Sequence, residues 1–369
     1  TYIGTQRHTT SGAFFKDSSN NLIKGLTSTN TRVISSGGVT RGTLTATATT
    51  GSITQSGALK ITGASTFTTS EADEDITLEH TSNDFHGDVI FSTAGTRGDV
   101  AVYDSSDFYF GASTIRGNLE VETVNAQNAV IGDQGIVTVT GTTSLLASGT
   151  NLAKAATIYM RDFGHIFGDS VSAEGHHVYI QSGSAIELGA IRSGWGQFIL
   201  TSNGADSHVT QSDTGYIQVR TDTTILGGSN NVTLDSTLNS FGGYDTSGTL
   251  ASTNIATDNT VSSDEVKING NNVEVVSDHS FNVGASIIAG NLTLTSGAAL
   301  NGHATTPFNA ITDSGDVSVT GNLSATTTAN NGAIVMRTLE VDGTIALTTH
   351  GTGNGTIEND DNIDFLTSS

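Results

Sequence analysis

Ten histidines are the first residues to question for chemistry: His8, His80, His86, His165, His176, His177, His208, His279, His303 and His350. A metal-assisted hydrolase places two of them one helical turn apart, as in HExxH, beside a carboxylate. No such pair occurs. His176-His177 would point to opposite faces of a strand, which disfavours joint ligation, and all ten read as surface residues. The carboxylates Glu71, Asp73, Glu74 and Asp75 could bind Ca²⁺ weakly through oxygen ligands, as could Asp360, Asp361 and Asp364. Neither group matches an EF-hand, and the calcium-binding nonapeptide is absent, so both read as solvated turns. Polysaccharide cleavage needs carboxylates, often with a basic residue, on one wall. Arg192, Trp195, Arg220 and Asp222 are the one grouping of that kind, and chance proximity explains it equally well. No GxSxG elbow is present, and Gly194-Trp-Gly196 lacks the strand-to-helix setting of a phosphate loop. The chain has no Cys, which removes thiolate sites, a Cys nucleophile and disulfides. No catalytic, cofactor-binding or metal-ligating residue is assigned, and no cofactor is expected beyond weak calcium.

The elements that would position any of these residues follow from repetition. Ile53-Thr-Gln-Ser-Gly-Ala-Leu-Lys-Ile-Thr-Gly63 is echoed 78 residues later by Ile131-Gly-Asp-Gln-Gly-Ile-Val-Thr-Val-Thr-Gly141, and again by Ile311-Thr-Asp-Ser-Gly-Asp-Val-Ser-Val-Thr-Gly321. Val100-Ala-Val102 leads to Phe108, Phe110 and Gly111, as Val178-Tyr-Ile180 leads to Ile186, Leu188 and Gly189. Val273-Glu-Val275 leads likewise to Phe281, Val283 and Gly284. Asn83, Phe85 and Gly87 map onto Asn239, Phe241 and Gly243. The step from Val178 to Val273 is longer than that from Val100 to Val178, which places the extra residues in the Ser/Thr-rich stretch Asp245–Asp264.

Within the blocks apolar and polar residues alternate, as in Leu119, Val121 and Val317, Val319, the mark of half-buried strands. Asn151–Phe163 comes nearest to a helical pattern, and its β-branched residues argue against it. Short strands in blocks of about 20 residues bury a core only by stacking. The expectation is an all-β parallel β-helix of about 20-residue coils grouped in 78-residue superrepeats. Phe108, Ile186 and Phe281 would then share one wall, and Asn83 and Asn239 would take left-handed bends. Three regions follow: 1–40, a non-repeat or joining segment; 41–350, the solenoid; and 351–369, a terminal strand or joining segment.

The phrases Gly51-Ser-Ile-Thr-Gln-Ser-Gly-Ala-Leu, Asp75-Ile-Thr-Leu-Glu-His-Thr-Ser-Asn-Asp-Phe-His-Gly and Gly290-Asn-Leu-Thr-Leu-Thr-Ser-Gly-Ala-Ala-Leu resemble repeats of filamentous-haemagglutinin-like exoproteins and giant bacterial surface adhesins. The resemblance implies a right-handed parallel β-helix exported to the cell surface. The chain departs from that pattern in having no two-partner secretion motif near its start and no autotransporter barrel at its end.

Composition narrows the partners. Asp+Glu number 36 against 14 Lys+Arg, a net charge of −22 over 369 residues, which repels nucleic acid and anionic lipid. No apolar run reaches the length of a membrane span. The N-terminal stretch with Phe14-Phe15 and the C-terminal Ile363-Asp-Phe-Leu366 do not look like capping helices. The sequence therefore predicts a secreted, bacterial, non-enzymatic structural subunit. Its partner would be itself, joined head to tail in an extracellular filament. The alternative is a stalk of a large adhesin, with surface glycans as partners, and less favoured still is a polysaccharide-active β-helix enzyme.

Overall fold

A computed structural model describes residues 15–16, 27–32, 41–125, 129–149, 156–194, 196–202, 204–242, 264–297 and 308–359. Two compact units, Thr1–Gln181 and Ser182–Ser369, are each built of stacked parallel coils, and the described residues contain no helix.

In the first unit three walls repeat. Wall A stacks Ile53–Gln55, Ile76–Leu78, Val100–Asp104, Leu119–Asn125, Thr143–Gly149 and Val171–Gly175. Their leading residues lie directly over one another, Ile53 on Ile76 on Val100 on Leu119 on Thr143 on Val171. Wall B carries Phe108–Phe110, Val130–Asp133, Thr157–Met160 and His177–Ser182, while in the coils before them Lys60–Ile61 and Asp84–Phe85 pair as a separate two-stranded sheet. Wall C carries Ser65–Ala72, Val89–Ala94, Ser113–Ile115, Val137–Val139 and Ile166–Phe167. Alternation does the sorting: in Val100–Asp104 and Val89–Ala94 every second side chain is buried.

The period-two reading and the parallel β-helix are borne out, with two corrections of scale. A coil holds about 23 residues rather than 20. Corners absorb the variation, so Val100 pairs with Leu119, 19 residues on, and Thr143 with Val171, 28 on. The 78-residue step is therefore three and a third coils. Ile53 lies on wall A but its counterpart Ile131 on wall B. The expectation of one shared wall fails in the second unit for the same reason. There Ile186 heads the ladder Ile186, Val209, Val232, Val273, Leu292, Leu323, Ile345, whereas Phe281 pairs with Ile311 on another wall. The insertion is where the repeat arithmetic put it, because Val209 meets Val232 but Val232 meets Val273. Residues 243–263 themselves lie outside the described set.

The core of the first unit is aromatic. Phe67 stacks on Phe91 at 5.9 Å and Phe91 on Phe108 at 6.4 Å, while Phe85 meets Phe67 and Phe108 edge-on. All four are fully buried, worth roughly 2–3 kcal/mol each by area. In the second unit, Val266, Ile268, Val275, Phe281, Val283, Ile288, Leu292 and Leu294 enclose an apolar cavity of about 10 Å³.

The described part of Asn151–Phe163 holds a strand, Thr157–Met160, as its β-branched residues argued. Within residues 1–40, Phe15–Lys16 pairs antiparallel with Ile53–Gln55, and Thr27–Arg32 pairs antiparallel with Arg41–Ala48. Strands rather than a helix thus lie on the first coils. Phe14 and residues 360–369 lie outside the described set.

Candidate functional site

The acidic stretch is a turn, as expected. Asp73, at φ 63°, accepts the backbone N–H groups of Thr96 (2.7 Å) and Arg97 (2.9 Å). The Thr96 N–H is the chief cause holding its carboxyl below the usual range. A shallow groove of about 650 Å³ runs past Asp73, Asp75, Asp99, Arg97, Arg116 and Asn118. Its acids point along the stack: Asp75 accepts Asp99 N–H at 2.9 Å, Asp99 accepts Asn118 N–H at 2.6 Å, and Asn118 accepts Thr142 N–H at 2.9 Å. The second unit has the same ladder written in asparagine, Asn231 to Asn272 to Asn291 to Asn322 to Thr344. Among the described residues no group of three or more His, Asp or Glu is placed to hold a metal ion. Asp360, Asp361, Asp364 and Trp195 lie outside the described set. Of that last grouping, Asp222 accepts the Glu265 N–H at 3.0 Å and faces Gln197.

The histidines divide. His8 and His303 lie outside the described set. His80, His208 and His350 each hold a hydrogen bond to nearby backbone, and His86 and His279 pair with Asp84 and Asp278. His165 corrects the surface reading, since its side chain is fully buried. Its Nδ1 accepts the Val137 N–H at 2.9 Å, so Nε2 carries the proton and faces Asp133 Oδ2 at 3.3 Å. Asp133 also accepts the N–H groups of Arg161 and Asp162, at 2.8 and 2.9 Å. Burial raises the Asp133 pKa, but the His165 bond and these N–H groups together hold it below the usual value. His176 and His177 do not oppose each other: their rings lie 4.5 Å apart, and burial lowers both pKa values.

Buried asparagine is the main polar device, and it is not a left-handed bend. Among non-glycine residues described, only Asp73, Asp206 and Asn331 have positive φ. Asn83 instead ties three coils together. Its Oδ1 accepts Leu59 N–H (2.9 Å) and Gln55 Nε2 (2.8 Å) from the preceding coil. Its Nδ2 donates to Leu78 O (2.9 Å) in its own coil and Tyr103 O (3.1 Å) in the next.

The surface feature that sequence reading missed lies on the outward side of walls B and C in the first unit. Tyr109, Gly132, Tyr159 and Tyr179 follow one another up wall B. A Cβ on Gly132 would lie 2.9 Å from the Tyr109 ring, so that ring covers the glycine. Tyr159 and Tyr179 stack at 5.0 Å, with the Arg161 guanidinium 4.4 and 4.6 Å from their centroids. Burial raises the pKa of Tyr179, so it stays a phenol. The chain then turns the corner through residues 161–165, pinned from within by Asp133 and His165. That corner exposes Phe163 (56%), Ile166 (45%) and Ile136 (45%), with Ile136 packed over Gly164. Spacing hid the strip, because coils of unequal length scatter the three tyrosines without a period.

No curated protein and no solved structure matches the chain. A family model does, three times over, at residues 20–92, 97–173 and 175–261, each start about one 78-residue step after the last. These matches cover more than half of the sequence, and the chain belongs to the family described as repeats of unknown function (DUF5649).

Proposed function

We propose that the chain is a structural subunit, a secreted β-solenoid that assembles head to tail into an extracellular filament or surface fibre and performs no catalysis. The observation that supports this reading is how the buried polar groups are used. Asn83, Asn239, Asp133 and His165 all face other coils and hold them in register. A catalytic cleft needs the opposite arrangement, with such groups aimed at an open site.

In the second unit burial falls off at the last described coil. Leu323, Ala325 and Ile334 are buried, whereas Ile345, Leu347 and Ile357 of Ile345–His350 and Gly355–Asn359 are only half-buried. Among the described residues no strand pairs beyond them. Such an edge accepts a further strand, and a heterologous contact repeated from copy to copy makes an open fibre. The same edge favours a second reading, in which further coils stack there within a longer adhesin and the chain is its stalk.

Negative-stain electron microscopy of the purified chain tests the proposal. Long uniform fibres, abolished by Leu347→Asp, are the expected result. Isolated particles at all concentrations, with or without calcium, would favour the stalk. Turnover of a polysaccharide would overturn the structural reading.

A further inference from the structure

The first coil is covered by strands that run against it. Arg41–Ala48 heads wall C and Ile53–Gln55 heads wall A, and from both the ladders climb in parallel. The coil proper begins at Gly42, whose carbonyl accepts the Gly63 N–H at 2.8 Å, the same corner bond that Gly98 makes to Gly117 at 3.0 Å. Before Gly42 the direction reverses. Thr27–Arg32 pairs antiparallel with Arg41–Ala48, Thr27 opposite Thr45 and Thr29 opposite Thr43, and Phe15–Lys16 pairs antiparallel with Ile53–Gln55.

Successive coils of a solenoid all run the same way, so a copy joined head to tail extends these two edges only in parallel. Antiparallel strands already occupy both. The longer one is also irregular: Thr29 to Arg32 takes three residues where Thr43 to Arg41 takes two, a bulge of the kind that blunts sheet edges. Burial marks the same contrast. Leu44, Ala46, Ala48 and Ile53 of the covered strands are buried. Ile345 and Leu347, in the last described coil of the second unit, are only half-buried.

The cover is lightly held. Thr27–Arg32 reads Thr-Ser-Thr-Asn-Thr-Arg and has no large apolar residue, so backbone hydrogen bonds rather than core burial fix it. Such a strand opens at a lower free energy than the coils it covers.

We infer that Thr27–Arg32, with Phe15–Lys16, is a releasable cap. In place, it keeps a second copy of the chain from stacking on Arg41–Ala48 and Ile53–Gln55. Displaced, it leaves two edges that take one. What stacks there rests on the head-to-tail reading, and the cap refines that reading: joining at this edge is an exchange of strands, not the docking of two edges already bare.

Engineered cysteines in the full chain test the cap, since the chain has no Cys of its own. Thr27→Cys with Thr45→Cys joins two Cα partners across the pair and, when oxidised, locks the cap. The locked chain should form no fibres in negative stain, and reduction should restore them. The single Thr45→Cys variant should form them in either state. Fibres from the locked chain would overturn the inference. A wild-type chain without fibres would count against the head-to-tail reading, and a second measurement then reads the cap by itself. Thr29→Pro breaks the cap strand. Hydrogen exchange should rise at Arg41–Ala48, and sedimentation velocity should show self-association at a concentration about tenfold lower or more than for wild type. Circular dichroism keeps loss of fold distinct from loss of the cap. Unchanged exchange at those amides would mean that no strand covers the edge, and faster exchange without added association would mean that the cover restrains nothing; either result refutes the cap.

Discussion

Two corners of the molecule, one in each unit, are built to the same plan and differ in charge at one buried polar position. Asn83 and Asn239 make matching bonds. Each takes both amide groups of a glutamine in the preceding coil, Gln55 or Gln211, and one backbone N–H there, Leu59 or Ile217. Each donates to its own coil at Leu78 or Leu234, and to the next at Tyr103 or Val276. The next coil then supplies Asp104 in one case and Ser277 in the other, both fully buried. Ser277 donates its hydroxyl to Asn239 O at 3.2 Å. Asp104 can only accept when ionised, and it takes Phe85 N–H at 3.1 Å and Ser106 N–H at 2.9 Å. Burial, helped by the nearby Asp84 charge, pushes its pKa up to about 7. The lesson is that the asparagine corner holds coils together by satisfying every partner, and that it tolerates a neutral hydroxyl more readily than a charge.

Removing the asparagine tests the shared part. Asn83→Ala strands a buried carbonyl and a buried N–H, each costing about 1–3 kcal/mol, so the first unit should lose on the order of 5 kcal/mol. Asn239→Ala should do the same to the second. Hydrogen exchange at Leu59 and Ile217 separates the two units, and a large loss in only one of them would break the comparison.

The difference comes next. An unfolded aspartate titrates near pH ~3.9, so between about pH 4 and pH 7 the folded chain keeps a proton the unfolded chain has released. The stability of the first unit should therefore fall as pH rises through that window, by up to about 4 kcal/mol, and level off above about pH 7. Asp104→Ser should flatten this slope in urea titrations from pH 4 to pH 8. Ser277→Asp should install it in the second unit. A wild-type slope unchanged in Asp104→Ser would refute the assignment.

The cores give a smaller contrast. Ile268 and Val283 line the second unit's cavity, where the first unit has stacked phenylalanines. Val283→Ile should stabilise by at most about 1 kcal/mol, seen as a small rise in urea midpoint, whereas Phe108→Leu should cost more than that. Smallest of all is the exposed ladder: Asp99→Asn, copying the second unit's asparagines, should change stability by about 0.5 kcal/mol or less in low salt.

How far the sequence can be read follows from which interactions repeat. Alternation in Val100–Asp104 or Val317–Val319 is local, so strands and their parallel stacking are visible in the residues themselves. Coil length is not local. It depends on how many residues each corner takes up, and the shift from 19 to 28 blurred the estimate toward 20. His165 looked like any surface histidine because its partner Asp133 lies a coil away. Asn83 was singled out by its recurrence, but the assigned role was wrong. A bend needs only the residue's own φ, whereas a three-coil clasp needs Gln55, Leu59 and Tyr103, which only stacking brings together. The aromatic strip had no sequence signature at all, since Tyr109, Tyr159 and Tyr179 meet through unequal coils.

The mismatch between a 78-residue repeat and a three-walled coil carries a consequence for growth by duplication. Because Ile53 and Ile131 begin the same phrase one wall apart in the first unit, duplication lays a repeated phrase on a new face of the coil, and that phrase must form a strand on whichever wall it lands.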